Sequence, residues 1–412
     1  MNDTKEKQAI SKKTFEELRK RQLRRRKIVI TTLSAVALTL VLILLYCFGV
    51  YEKFLEAIGV EPDISVQSIA SDISYAPRGE HLVGAVQDCI IICDENGVTG
   101  LDEKGNWKWN VSCPVVNPVM QCYKEFVLLS DVEGKTLWCF DKNGQRFRHD
   151  SEEPIVGVFA SQTGDGFALL CSQTDFETAV TYYTCKDNVL TQIFTRKFGS
   201  YHMFAGDRSP NKEAFALSGV YATGSELTGA TVFMRIRDGE VFSTVVTQGH
   251  VYPLVQYLNN DIVFVANTES LRMIKRLGTA SSSKDSEKVI WSRDGGRMSI
   301  ADIACVAGKR CVVAYQNNNL EDAGSGNSSL IYYNNVGKSV REIEIEGSLQ
   351  GIETQGKIVV AYTNRGVYMF NEKGNRIGSH LFESDIKSVS YIGDREIVVA
   401  CLDGIQHVSF EE

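Results

Sequence analysis

Much of the usual apparatus of catalysis and metal binding is missing from this sequence. It has no Gly-x-Ser-x-Gly elbow, no glycine loop built to cradle a phosphate and no His-Glu-x-x-His pair. No two cysteines stand at Cys-x-x-Cys spacing, which removes the common zinc and dithiol-redox sites. The six histidines (His81, His149, His202, His250, His380, His407) are scattered singly, so no metal is expected and they read as surface or strand residues. No long amphipathic helix follows Gly59, which excludes a helical bundle and an alternating α/β fold. Finally, one stretch lacks charge altogether. Residues 28–50 hold no Asp, Glu, Lys or Arg.

That uncharged run, IVITTLSAVALTLVLILLYCFGV, is long enough as a helix, at roughly 34 Å, to cross a hydrocarbon core of about 30 Å. A cleaved signal peptide would have an apolar stretch about half as long and end on small residues. Here Tyr46, Phe48 and Tyr51 stand at the exit, the aromatic chemistry of a membrane interface. The flanks orient it. Residues 1–27 carry eleven Lys or Arg against four acids, whereas residues 51–412 carry 33 basic against 47 acidic residues, a net of −14. Positive charge stays cytoplasmic, so the sequence predicts a basic inner tail (1–27) and a transmembrane helix (28–50). A helical linker (51–62) and an extracytoplasmic domain (63–412) follow, in a single-pass cell-membrane protein. The tail is expected to touch anionic lipid. The acidic outer domain argues against a nucleic-acid partner and leaves peptides, proteins and cationic ligands.

Beyond Pro62 short β-branched and aromatic runs alternate with Gly, Asn and Asp, the pattern of an all-β fold. An internal repeat narrows it to a β-propeller. VTGLDEKG, LWCFDKNG, IYYNNVG and VYMFNEKG each set an apolar strand before Asp or Asn and, three residues on, Gly. The turn pairs are Asp102 with Gly105, Asp141 with Gly144, Asn334 with Gly337 and Asn371 with Gly374. The acid or amide folds back on the turn backbone and Gly takes the positive φ. Two intervals between them, 39 and 37 residues, are the length of one four-stranded blade. Grouping strands predicts blades near 80–112, 113–152, 153–200, 201–249, 250–296, 297–346 and 347–384. An eighth (386–410) has three strands, completed by ISVQSI (64–69) from the start of the domain. Seven blades is the alternative count.

LDEKGNWKW (101–109), an Asp-x-x-Gly turn ahead of a Trp, resembles the blade motif of the PQQ-like, WD40-like and outer-membrane-assembly-type propellers. Trp109 fills the Trp position, and Trp291 is its counterpart in blade 5; the other blades lack it, and no cofactor is expected. The whole layout, anchor plus divergent propeller, is similar to a Firmicutes family of membrane proteins known as a domain of unknown function. That resemblance implies a fold and a location, not an activity.

Ten of the eleven cysteines lie outside the uncharged run, mostly in apolar strands, and read as free, buried thiols. Bridges between Cys305 and Cys311 or Cys113 and Cys122 are the alternative. For function, the irregular connections carry the signal. SQTDFETA (172–179), SGVYATGSELTGA (218–230) and QNNNLEDAGSGNSS (316–329) enlarge the second-to-third-strand connection of three blades, all on one face. Phe176, Tyr221 and Leu227 are the candidate apolar anchors, ringed by Glu177, Glu226, Glu321 and Asp322. The expectation is a non-enzymatic scaffold that binds a protein, peptide or other ligand. The competing readings are an extracytoplasmic enzyme, a degenerate quinoprotein or a hydrolase with its site at the central channel, and a sensor signalling through the tail.

Overall fold

The computed structural model describes residues 67–75, 77, 81–160, 165–174, 177–221, 226–277, 284–293, 298–317 and 327–411, with residue 39. The chain divides into two compact units, Met1–Ile64 and Ser65–Glu412. Apart from residue 39, the predicted tail, membrane helix and linker lie outside the described residues. Among the described residues no helix is long and apolar enough to cross a membrane.

The second unit is an all-β propeller of eight four-stranded antiparallel sheets, which settles the count against seven. Blades 1 to 7 span 82–111, 118–150, 155–198, 201–248, 254–292, 298–345 and 349–381, each built outward from an inner strand. Blade 8 is assembled from both ends of the unit. Ile386–Gly393 is its inner strand, Glu396–Cys401 and Ile405–Glu411 follow, and Gln67–Asp72 pairs antiparallel with Ile405–Glu411 as the outermost strand.

The sequence periodicity follows from this layering. A second strand is covered on both faces by neighbouring blades, so it reads as an unbroken apolar run. Cys89–Asp94 and Ile262–Ala266 are buried at every position. Outer strands meet solvent; Val189–Phe198 is mostly exposed. The core is correspondingly divided into eight clusters, one at each blade junction. Leu128 and Cys139 of blade 2 pack on Phe167 and Leu169 of blade 3. At the seam, Ile90 and Leu101 of blade 1 pack on Val398 and Ile405 of blade 8, with Ile73 beside them.

All ten described cysteines are free thiols. Cys305 and Cys311 stand directly opposite in their hairpin without a bridge. Cys113 is buried in the core between blades 1 and 2, while Cys122 faces the central channel, so that pair is not bridged either.

Candidate functional site

The repeated turns are structural devices. Oδ1 of Asp102 accepts the backbone N–H of Lys104 (2.9 Å) and of Asn106 (2.7 Å), and Gly105 sits at φ +83°. Asn334 does the same for Val336 and Lys338, and Asn371 for Lys373 and Asn375, with Gly337 and Gly374 again at positive φ. Asp141 caps a tighter hairpin through Asn143 N–H, with Gly144 at φ +121°. The motif Trp is occupied in the same way. Trp109 stacks on Phe140 of blade 2, its indole N–H donates to Lys142 O at 3.1 Å, and its ring lies where a Cβ on Gly100 would be. Trp291 of blade 5 meets Tyr315 of blade 6 edge-on. Both tryptophans rivet one blade to the next, and neither faces the channel.

The predicted binding residues fare unequally. Second-to-third connections do share a face with the blade-to-blade links. SQTDFETA, however, is not a long loop. The second strand of blade 3 runs to Thr174 and the third starts at Glu177, so the extra residues lengthen a hairpin. Phe176, Glu321 and Asp322 lie outside the described residues, and Glu177 opens a strand. Blade 4 brings three candidates together. Tyr221 ends the second strand, 36% exposed and tilted against Tyr201; Glu226 and Leu227 precede the third, with Leu227 56% exposed.

Sequence reasoning placed only the enzyme alternative at the central channel and named no residue of it. The inner strands of all eight blades line a cavity of about 680 Å³ on the axis, within the range of small-ligand sites. Its lining extends to Ser209, Pro210 and Lys212 in the first-to-second-strand turn of blade 4, the face opposite the predicted loops. Side chains on the inner strands bolt adjacent blades together around it. Asp207 accepts Tyr257 N–H at 2.6 Å and Asp302 accepts Ile352 N–H at 3.0 Å. Tyr123 Oη accepts Ala160 N–H at 2.9 Å, and Ser388 donates to Val83 O.

Three inner-strand carboxyls titrate abnormally. Burial pushes Asp207 and Asp302 up to about 6, against the pull of the backbone N–H groups they accept. Glu353 is pushed up to about 8, first by burial and then by the charge of Asp302. Protein surrounds it at close range, yet its side chain keeps an exposed face on the cavity. No group of three or more potential ligands suited to a metal occurs among the described residues. In the structure Asp207 and Asp302 follow bulges in their strands, which no pattern in the sequence marks.

No curated protein matches the chain in sequence. Among solved structures the ring is similar to Saccharomyces cerevisiae Sqt1, with TM-score 0.58 and 13% identity over 85% of this chain and all of that one. It is similar to Chaetomium thermophilum Sqt1 bound to the N-terminus of the ribosomal protein L10, with TM-score 0.57 and 12% identity over 84% and 100%. BamB from Moraxella catarrhalis aligns at TM-score 0.49 and 12% identity over 84% and 98%. At these identities the likeness concerns the fold alone, a β-propeller. In sequence the match to the Family of unknown function (DUF5711) runs over residues 73–410, the ring without its outermost N-terminal strand, and the chain belongs to that family.

Proposed function

We propose that the protein is a membrane-tethered, extracytoplasmic scaffold whose propeller binds a protein or peptide partner without catalysing a reaction. The carrying observation is the connection of blade 4, which exposes Tyr221 at the end of the second strand and Leu227 just before the third. An exposed aromatic and an aliphatic anchor on a rigid support are the ingredients of an interaction surface. Tethering and orientation rest on the uncharged run at 28–50 and its basic flank. The non-catalytic part of the reading rests on the motif residues, whose side chains are taken up by turns and blade contacts. The Sqt1 complex with the N-terminus of ribosomal protein L10 is a precedent for the architecture and not for the partner.

The test is cross-linking of the full chain on cells beside the double variant Tyr221→Ala/Leu227→Ala, both exposed positions that leave the core intact. A partner recovered by the parent and at least tenfold depleted in the variant supports the surface. Equal recovery from both removes it.

A further inference from the structure

The channel contains an unbalanced carboxyl. Asp207 and Asp302 each commit both oxygens to backbone N–H groups, one within the strand (Arg208, Ile303) and one on the next blade (Tyr257, Ile352). They are fasteners. Glu353 lines the cavity, yet its carboxyl has no hydrogen-bond or ion-pair partner among the described residues. The two cations in the lining cannot supply one. Arg208 and Lys212 are both engaged by Asp165, at 2.7 and 2.6 Å. The other polar lining groups (Gln121, Gln256, Thr354, Ser388, Ser390) are neutral and rich in acceptor oxygens.

A lone carboxyl among hydroxyl and amide oxygens in a cavity of about 680 Å³ suits a compact cation with several N–H donors. A metal ion would need more anionic ligands than are gathered here. A guanidinium would prefer a bidentate planar site. We propose that the axial channel is a binding site for a primary ammonium group, with Glu353 as its counter-charge. This site is separate from the loop surface of blade 4, and the scaffold reading stands or falls without it.

Binding has a proton signature. With Glu353 pushed up to about 8, the empty site is neutral at pH 7, and an arriving ammonium must expel a proton to find an anion. The titratable groups around Glu353 are Asp302 of blade 6, Tyr362 of blade 7, Tyr391 of blade 8 and Cys122 of blade 2. Cys122 is pushed up to about 11, Tyr362 to about 12 and Tyr391 well above its ordinary value, so these three stay neutral near pH 7. Asp302, near 6, is the one neighbour that titrates in the same range. Farther along the lining, Asp207, Tyr123, Tyr257, Cys305, Arg208 and Lys212 complete the set.

The experiment is titration calorimetry on the full chain in detergent, with propylamine in one arm and the peptide acetyl-Gly-Lys-Gly-amide in the other. Measurements in two buffers of different protonation enthalpy give the protons exchanged. The expected result is release of about one proton per ammonium bound near pH 7, falling to none above about pH 9. The two arms show whether a free amine, a lysine side chain or both enter. Glu353→Gln should weaken binding at least tenfold and abolish the proton release, with its unfolding midpoint at pH 7 as the check that the ring is intact. The parent's proton release is read without the variant. Binding unchanged in Glu353→Gln, binding with no proton released near pH 7, or no binding of either probe at about 10 mM would each overturn the assignment.

Discussion

Single residues set two measurable properties of the ring. The first is its response to pH. Glu353 ionises near 4.5 in an unfolded chain but near 8 in the folded one, and Asp207 and Asp302 near 3.8 and near 6. In each window the folded state holds more protons, so these three groups make stability fall as pH rises, from about 4 to about 8, with no further loss above. Thermal melts across that range should show the decline, and Glu353→Gln should flatten its upper part. A Glu353→Gln slope identical to the parent's between pH 6 and 8 would sink the assignment. The second property is the rivet at Trp109. Truncation to Ala should cost roughly 2–3 kcal/mol, below a fully buried Trp because the ring is only half-buried. Gly100→Ala forces the same ring out of place and should cost a similar amount. In the Trp109→Ala background, where nothing is left to displace, Gly100→Ala should be nearly free. A double-mutant cycle that came out additive would mean the two residues do not share a contact.

At the scale of elements, the blades carry unequal loads, and the seam strand carries the least. Gln67–Asp72 has Ile69 half in solvent and the next three residues exposed, so it holds chiefly by its ladder to Ile405–Glu411. Ser68 with His380 and Asp72 with Gln406 add side-chain links, and Ile73 just beyond is buried. A cross-link between Ile69→Cys and Ser409→Cys, directly paired positions, should raise the oxidised melting point, with about 2–4 kcal/mol expected for a bridge closing so long a loop. An oxidised midpoint equal to the reduced one would mean that strain at the paired positions cancels the lost chain entropy, against the register described for the seam. This level of structure was largely legible in the sequence. An Asx turn such as Asp102–Asn106 is a five-residue affair, and its spelling is all the information it needs. Blade edges came within a few residues for the same reason. The misreading of SQTDFETA has the opposite cause. Polar residues that look like loop can continue a strand when the hairpin projects beyond its neighbours, and nothing local distinguishes the two.

The whole molecule adds what no segment contains. Asp207, Asp302 and Glu353 sit in unrelated tripeptides on three different blades and acquire meaning only where the inner strands converge. That is why no residue of the channel could be named from the sequence, while the ring around it could be drawn. Orientation is also a property of the whole. An epitope at the C-terminus should be accessible on intact cells and one at the N-terminus only after permeabilisation; the reverse pattern would contradict the charge argument at residues 1–27. The seam has a further consequence, one of timing. Ile69 pairs with Ser409, about 340 positions later in the chain. At roughly 5–20 residues per second of synthesis, the first strand waits on the order of 20–70 s for a partner that does not yet exist. Seven blades can zip up in order of emergence, but the circle closes only once Ile405–Glu411 has been made. A ribosome that stalls before that strand leaves an open arc with two bare sheet edges, a species that quality-control proteases and edge-seeking chaperones can tell from the closed ring.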